Sequence, residues 1–245
     1  MDKLKILLVN DDGIEAEGLR RALKILKNFG EVIVVAPSEE KSGSSHSISL
    51  RKNIKVNKIR ENFYSVDGTP VDCVLVAMEA ILEEKPQLLV SGINYGFNLG
   101  EDTFYSGTLA AAREGYLYDV PSIAFSVGPY NEPCYEGGEY YLDLILRKII
   151  EGKFYKNKFL LNINLYDLKI EEIKGIKVTK LGKRHYLNPI EKVDENIYKI
   201  GGKLKLIPEE GTDVKAVLEH FVSITPLTLD ATDIELIKKL KKILE

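Results

Sequence analysis

The opening 37 residues constrain the fold more than any other stretch. Leu4–Val9 ("LKILLV") is a short apolar run and predicts a buried strand. After it, Leu19, Ala22, Leu23, Leu26 and Phe29 recur at helical spacing, with Gly30 placed to end the helix. "EVIVVAP" (31–37) is a second apolar run, stopped by Pro37. A strand, a helix and a strand in so few residues make a βαβ unit, whose crossover joins parallel strands. Continuous apolar strands of this length suit a mostly parallel sheet with helices on both faces, so the expected class is α/β.

The rest of the chain continues the rhythm with one interruption. Residues 38–68 hold the polar loop "SEEKSGSSH" and three alternating segments, "SISL", "NIKVNKI" and "FYSV", which predict hairpin strands. Thr69-Pro70 supplies an N-cap and a first-turn proline for a helix through Val71, Val74, Leu75, Met78, Ile81 and Leu82. "QLLVSG" (87–92), "PSIAFSV" (121–127) and "FLLNINL" (159–165) predict three more buried strands, with helices at 107–119 and 138–151. Beyond residue 170 the pattern predicts a projecting β-hairpin arm over 175–207, with Gly201-Gly202 as a turn. A short helix near Val214–Leu218, the strand "FVSITPL" (221–227) and a terminal helix within 230–245 follow. No repeat, low-complexity run or linker divides the chain, so 1–245 is expected to be a single domain.

Charge narrows the partners. Lys plus Arg number 34 against 37 Asp plus Glu, a net charge of −3, which lacks the cationic footprint of a nucleic-acid polymer binder. An anionic ligand would need local help from a cation or a helix N-terminus. Two cysteines, Cys73 and Cys134, form no metal-ligand pattern and suit a reducing cytoplasm. No apolar run is long enough to cross a membrane, and Ile6–Val9 is too short for a secretory signal.

Three polar loops follow predicted strands: "NDDG" (10–13), "SEEKSGSSH" (38–46) and "SGINYGFNLGEDTFYSGT" (91–108). Ligands of open α/β sheets bind outside the carboxyl ends of the strands, so these loops should converge. Asp11 and Asp12 repel each other unless something separates their charges. Ser42 and its neighbours add hydroxyls, and Asn94 and Asn98 add amide oxygens. Hard oxygen donors without His or Cys suit Mg²⁺, Mn²⁺ or Ca²⁺. "YSGT" (105–108) opens a helix whose free N–H groups favour a phosphate. Taken alone, "NDDG" reads equally well as an Asx turn. Composition does not separate Ser42 from Ser44 or Ser45. His46 can reach the site or simply start a strand; His185, with Lys180, Lys183 and Arg184, reads as a solvated basic face or as one that attracts a phosphate from a neighbouring subunit; His220 reads as structural. There is no P-loop, no G-x-G-x-x-G dinucleotide turn and no G-x-S-x-G elbow.

At these loops the sequence resembles the SurE (survival protein E) nucleotidases. The matching stretches are "NDDGI" (10–14), "VVAPSEEKSGSSHSIS" (34–49), "VDGTPVDCV" (66–74), "SGINYGFNLGEDTFYSGTLAAAREG" (91–115), "PSIAFS" (121–126) and "TDVKAVLEHFVSITPL" (212–227). The resemblance implies a Rossmann-like domain whose C-terminal hairpin and terminal helix serve oligomerisation, as a homodimer or homotetramer. It implies a phosphatase acting on nucleoside 5′- and 3′-monophosphates, with one divalent ion, Mg²⁺ or Mn²⁺, per subunit. Carried over, the metal ligands fall on Asp11, Asp12, Ser42 and Asn94, with Asp11 and Asp12 catalytic. The phosphate-binding positions fall on Asn98, Ser106, Gly107 and Thr108. Water and Asp11 both remain open as the nucleophile. Tyr95 and Tyr105 put aromatic side chains beside the phosphate loop, which keeps one alternative: a metal- and nucleotide-binding regulatory protein with little turnover.

Overall fold

The computed structural model describes residues 3–128 and 133–244. Strand β1 (Leu4–Val9), helix α1 (Glu17–Leu26) and strand β2 (Gly30–Pro37) form the expected βαβ unit, and β1 lies parallel to β2 with Ile6 opposite Val32. Gly30 does not end the helix as expected. It is the first residue of β2, where a side chain would collide with the Leu4 backbone.

Strands β3 (Val56–Arg60) and β4 (Phe63–Val66) form the hairpin at one sheet edge. "SISL" is not a strand. The Thr69 hydroxyl donates to the Ser47 carbonyl, and the Ser49 N–H donates to Asp72 Oδ1, so side chains at a helix cap take the groups a ladder would have used. That helix is α2 (Pro70–Val76), capped reciprocally by Thr69 and Asp72 and extended by a π turn over Ala77–Ile81. There follow β5 (Leu88–Tyr95), α3 (Gly107–Leu117), β6 (Ser122–Gly128), α4 (Glu136–Glu151) and β7 (Leu160–Tyr166). Next come β8 (Ile176–Val178), β9 (Lys183–Leu187), β10 (Ile190–Asp194), β11 (Ile197–Ile200) and β12 (Lys203–Ile207). Helix α5 (Asp213–Leu218), strand β13 (Val222–Pro226) and helix α6 (Ile234–Leu244) complete the order; Glu245, the last residue expected in the terminal helix, lies outside the described residues.

Nine strands make the main sheet in the order β3-β4-β2-β1-β5-β6-β7-β13-β8, and β4 through β7 run parallel. Alternation along β1 divides the core. Ile6 and Leu8 pack with α1 and α4 on one face, and Leu7 and Val9 pack with α2 and α3 on the other. All four are fully buried, each contributing about 1.5–3 kcal/mol of burial free energy. The chain winds outward from β1 through β2 and β4, then returns to β5 on β1's other side. The crevice between the ends of β1 and β5 is therefore a topological switch point, where ligands bind in such folds.

The arm differs from its expected bounds. Ile176–Val178 belongs to the main sheet, paired with β13, so the projecting part begins at Lys183. It consists of two successive antiparallel ladders, β9 with β12 and β10 with β11. The reversal falls at Glu195-Asn196, while Gly201-Gly202 joins the ladders opposite Asn188-Pro189.

Candidate active site

Asp11 and Asp12 leave β1 at the switch point. Asp11 is 4% exposed, and its carboxylate accepts from both the hydroxyl and the backbone N–H of Thr108 at the start of α3. Gly107 lies directly against it: a methyl group there would sit 2.8 Å from Asp11 Cβ and 2.8 Å from Ser44 Oγ. The second loop is tied to the first and third by the Lys41 N–H donating to the Asp11 carbonyl (2.7 Å) and the Ser45 N–H donating to the Tyr105 carbonyl (3.0 Å). Asn10 donates to the Gly13 carbonyl at 2.8 Å, so the turn predicted for "NDDG" coexists with its acidic pair.

The local field is acidic. Burial raises the Asp11 carboxyl above its usual range, against the Thr108 hydrogen bonds, and Glu40 adds repulsion. Asp12 is pushed from 3.8 to about 7, by burial first and then by the charges of Asp11 and Glu40, although the Tyr95 backbone N–H bonds to it. Burial, with the neighbouring negative charges added to it, thus raises the proton affinity of Asp11 and Asp12, and a bound cation would relieve both.

Asp11, Ser42, Asn94, Asn98 and Ser106 line one cleft of about 830 Å³. Asn94 Nδ2 donates to the Gly96 carbonyl at 2.9 Å, which turns Oδ1 away from that bond as a hard donor. The Ser42 hydroxyl donates to Glu40 at 2.8 Å and keeps its oxygen lone pairs. Ser106 accepts the Leu109 N–H as the cap of α3, leaving its own proton to donate, and the Gly107 N–H is the first of the helix, with no intrahelical acceptor. Thr108 faces Asp11 rather than the open cleft. Asn98 is gripped from behind: its N–H donates to Asn164 Oδ1, its amide to Ser126 Oγ, and its carbonyl accepts the Asn162 amide, each at 2.8 Å. Among the described residues no group of three or more His, Cys, Asp or Glu side chains is arranged to hold a metal; the donors here are two carboxylates, a hydroxyl and an amide.

Several contributors were not visible in the sequence. Lys180, Lys183 and His185 stay exposed, as the solvated face requires, but Arg184 does not: its side chain turns in and lines the cleft with Tyr186, and His185 borders the same cleft. Asp213 fixes the root of the arm to the phosphate loop, accepting from the N–H groups of Gly100 (3.0 Å), Gly182 (2.6 Å) and Val214 (2.8 Å). Tyr135 packs on Tyr95 at 5.6 Å between ring centroids, and burial together with the Asp12 charge pushes its phenol to about 12. His46 pairs with Glu114 on α3 at 2.7 Å, and His220 packs edge-on to Tyr166. Cys73 is buried in the core, as its helix position implied; both cysteines are free.

Comparison with known proteins places this arrangement in a family. The family model described as "Survival protein SurE" matches residues 6–188. The curated "5'-nucleotidase SurE" of Nitrosomonas eutropha is 43% identical over 235 residues, covering 94% of each chain. The protein of the same name from Aquifex aeolicus is 44% identical over 246 residues, covering 96% of each. A crystal structure of the SurE protein from Aquifex aeolicus superposes with a TM-score of 0.87 at 41% identity, covering 98% of this chain and 100% of that one. A β1–β5 crevice with an acidic pair, on a chain so similar along its whole length, makes this protein a member of the SurE family.

Proposed function

We propose that this chain is a 5′-nucleotidase of the SurE type, a divalent-metal-dependent phosphatase that hydrolyses nucleoside 5′- and 3′-monophosphates to nucleoside and phosphate. The observation that carries the reading is the convergence of Asp11, Ser42 and Asn94 on the same cleft as the opening of α3, with Asp12 pushed up to about 7 by burial and then by its acidic neighbours. The donor set fits a hard cation. Its oxygens come from carboxylates, a hydroxyl and an amide, and the Ser44 hydroxyl beside Gly107 is buried without a hydrogen-bond partner among the described residues. Asp11, Asp12, Ser42 and Asn94 would hold one Mg²⁺ or Mn²⁺ per subunit. Such an ion neutralises phosphate charge and acidifies bound water.

The protein's own groups do the rest. Thr108 fixes the Asp11 carboxylate through two hydrogen bonds and keeps it from rotating. The Gly107 N–H and the Ser106 hydroxyl at the opening of α3 would donate to phosphoryl oxygens, and the absent side chain of Gly107 lets the helix start lie directly against Asp11 and Ser44. The Asn98 amide, held by its bond to Ser126 and by the clamping of its backbone on Asn162 and Asn164, would offer its remaining N–H as a hydrogen-bond donor from a fixed position. Donors set in place before the reaction stabilise charge as it develops.

The subunits assemble as a homodimer or homotetramer through α6 and the arm. Ile234, Leu236, Ile237, Leu240, Ile243 and Leu244 leave α6 with an exposed apolar stripe. Among the described residues no helix is long and apolar enough to cross a membrane, and free cysteines fit the cytoplasm.

Phosphate release from a nucleoside 5′-monophosphate, measured with Mg²⁺ or Mn²⁺ and again with chelator, tests the reading. Turnover should vanish with chelator and fall at least about 10²–10³-fold in Asp11→Asn. Nucleotide binding without release in any metal would instead leave a regulatory protein.

A further inference from the structure

The strand-end loops form one wall of the cleft and the arm forms the other, with a different chemistry. Arg184 is the unusual residue on the arm side. Its side chain is only 10% exposed and pairs with Asp102 at 2.7 Å. Its guanidinium carbon lies 4.2 Å from the ring centroid of Tyr186 and 5.4 Å from that of Tyr105, and its backbone N–H donates to Glu101 at 2.8 Å. Yet Nε is buried with no hydrogen-bond partner among the described residues. A guanidinium held by one carboxylate between two rings has its plane fixed in advance. A buried N–H with no acceptor is destabilising unless a ligand supplies one.

Tyr105 is an independent second element. It lines the same cleft and is 60% exposed, an unusual state for so large a ring. Phe97 and Leu204 add apolar lining to the cleft. An exposed aromatic beside a preset guanidinium suits a flat group with π faces and an acceptor-bearing rim. A nucleobase has both; a simple alkyl phosphate has neither.

We propose that Arg184, held by Asp102 and working with Tyr105, is a specificity residue for the nucleoside end of the substrate, so that the arm makes the enzyme select nucleotides over simpler phosphate monoesters. The inference rests on the nucleotidase reading above and extends it from the phosphate to the leaving group.

Steady-state kinetics with Mn²⁺ on a nucleoside 5′-monophosphate and on glycerol 3-phosphate, both esters of a primary alcohol, test it. In Arg184→Met the ratio of kcat/KM for the nucleotide to that for glycerol 3-phosphate should fall about tenfold, through a higher nucleotide KM at a kcat within about twofold. Tyr105→Leu lies on the body, so it reads the site however the arm tolerates loss of Arg184, and should lower the same ratio about fivefold. Equal losses on both esters, or an unchanged ratio in both variants, overturn the assignment while the nucleotidase reading stands. A wild-type protein that cleaves neither ester overturns that reading and this inference with it.

Discussion

Along β1 every side chain from Ile6 to Val9 is fully buried, whereas every residue of β10 and β11 is exposed. The first region is a central parallel strand with helices covering both faces. The second is a two-stranded antiparallel ladder, a structure marginal in water by itself. Both regions nevertheless border the same cleft, one through Asp11 just beyond β1 and the other through Ile200 of β11, next to Arg184 and Tyr186 of β9 at the base of the arm. A wall made of core elements is rigid because its elements are buried. A wall made of an exposed arm is only as well placed as its root, and that root is Asp213, whose carboxylate gathers N–H groups from the arm, from the phosphate loop and from α5.

The largest effect is expected where the two regions are joined. Asp213→Ala leaves three buried N–H groups without their acceptor and should cost about 3–5 kcal/mol in denaturant unfolding. Because Gly100 and Gly182 are bridged by that carboxylate, the same variant should also lose discrimination between nucleotide and glycerol 3-phosphate. A loss below about 1 kcal/mol, within the range of ordinary surface changes, would break the idea that the arm is oriented from this point.

The sequence revealed the buried region far better than the exposed one, for a physical reason. A parallel strand covered on both faces is a continuous apolar run, so β1, β2, β5, β6 and β7 announce themselves through composition. The acidic pair was legible because two adjacent carboxylates at a strand end need a reason. Arg184 was not, since Lys180, Lys183 and His185 around it resemble a solvated face, and its burial comes from Asp102 and Tyr105, which are distant in the chain. Asn162 and Asn164 carry no signal of a role within the predicted strand 159–165; only the fold sets both against Asn98. Ser42 and Ser44 were indistinguishable by composition; the structure separates them through the Glu40 bond of one and the buried, unpartnered hydroxyl of the other.

A medium effect is expected within the rigid wall. Asp12 has its carboxyl raised from 3.8 to about 7 in the folded protein, mainly by burial and then by Asp11. A raised folded value means the native state keeps a proton that the unfolded chain has released. Stability from this group is therefore present at low pH and is lost as pH rises through the folded value. Chelator-treated protein should be about 1–2 kcal/mol less stable at pH 8 than at pH 6 on this account. Asp12→Asn, which has no such proton to lose, should remove that part of the slope and raise the melting temperature at pH 8. If the metal-free wild type and Asp12→Asn showed the same slope between pH 6 and pH 8, the acidic wall would not be storing repulsion.

The smallest effect is expected in the outer ladder of the arm. Ile200 is 86% exposed on β11, so Ile200→Ser removes almost no burial from a single chain. Unfolding of the dilute monomer should change by less than about 0.5 kcal/mol. The proposed assembly makes a second demand on the same residue, because an apolar side chain this open at a two-stranded edge favours cover by another chain. Sedimentation of Ile200→Ser should then show weaker self-association with an unchanged body. A large stability loss in the dilute monomer would mean that the arm is packed like β1 after all, and the contrast between the two walls would fail.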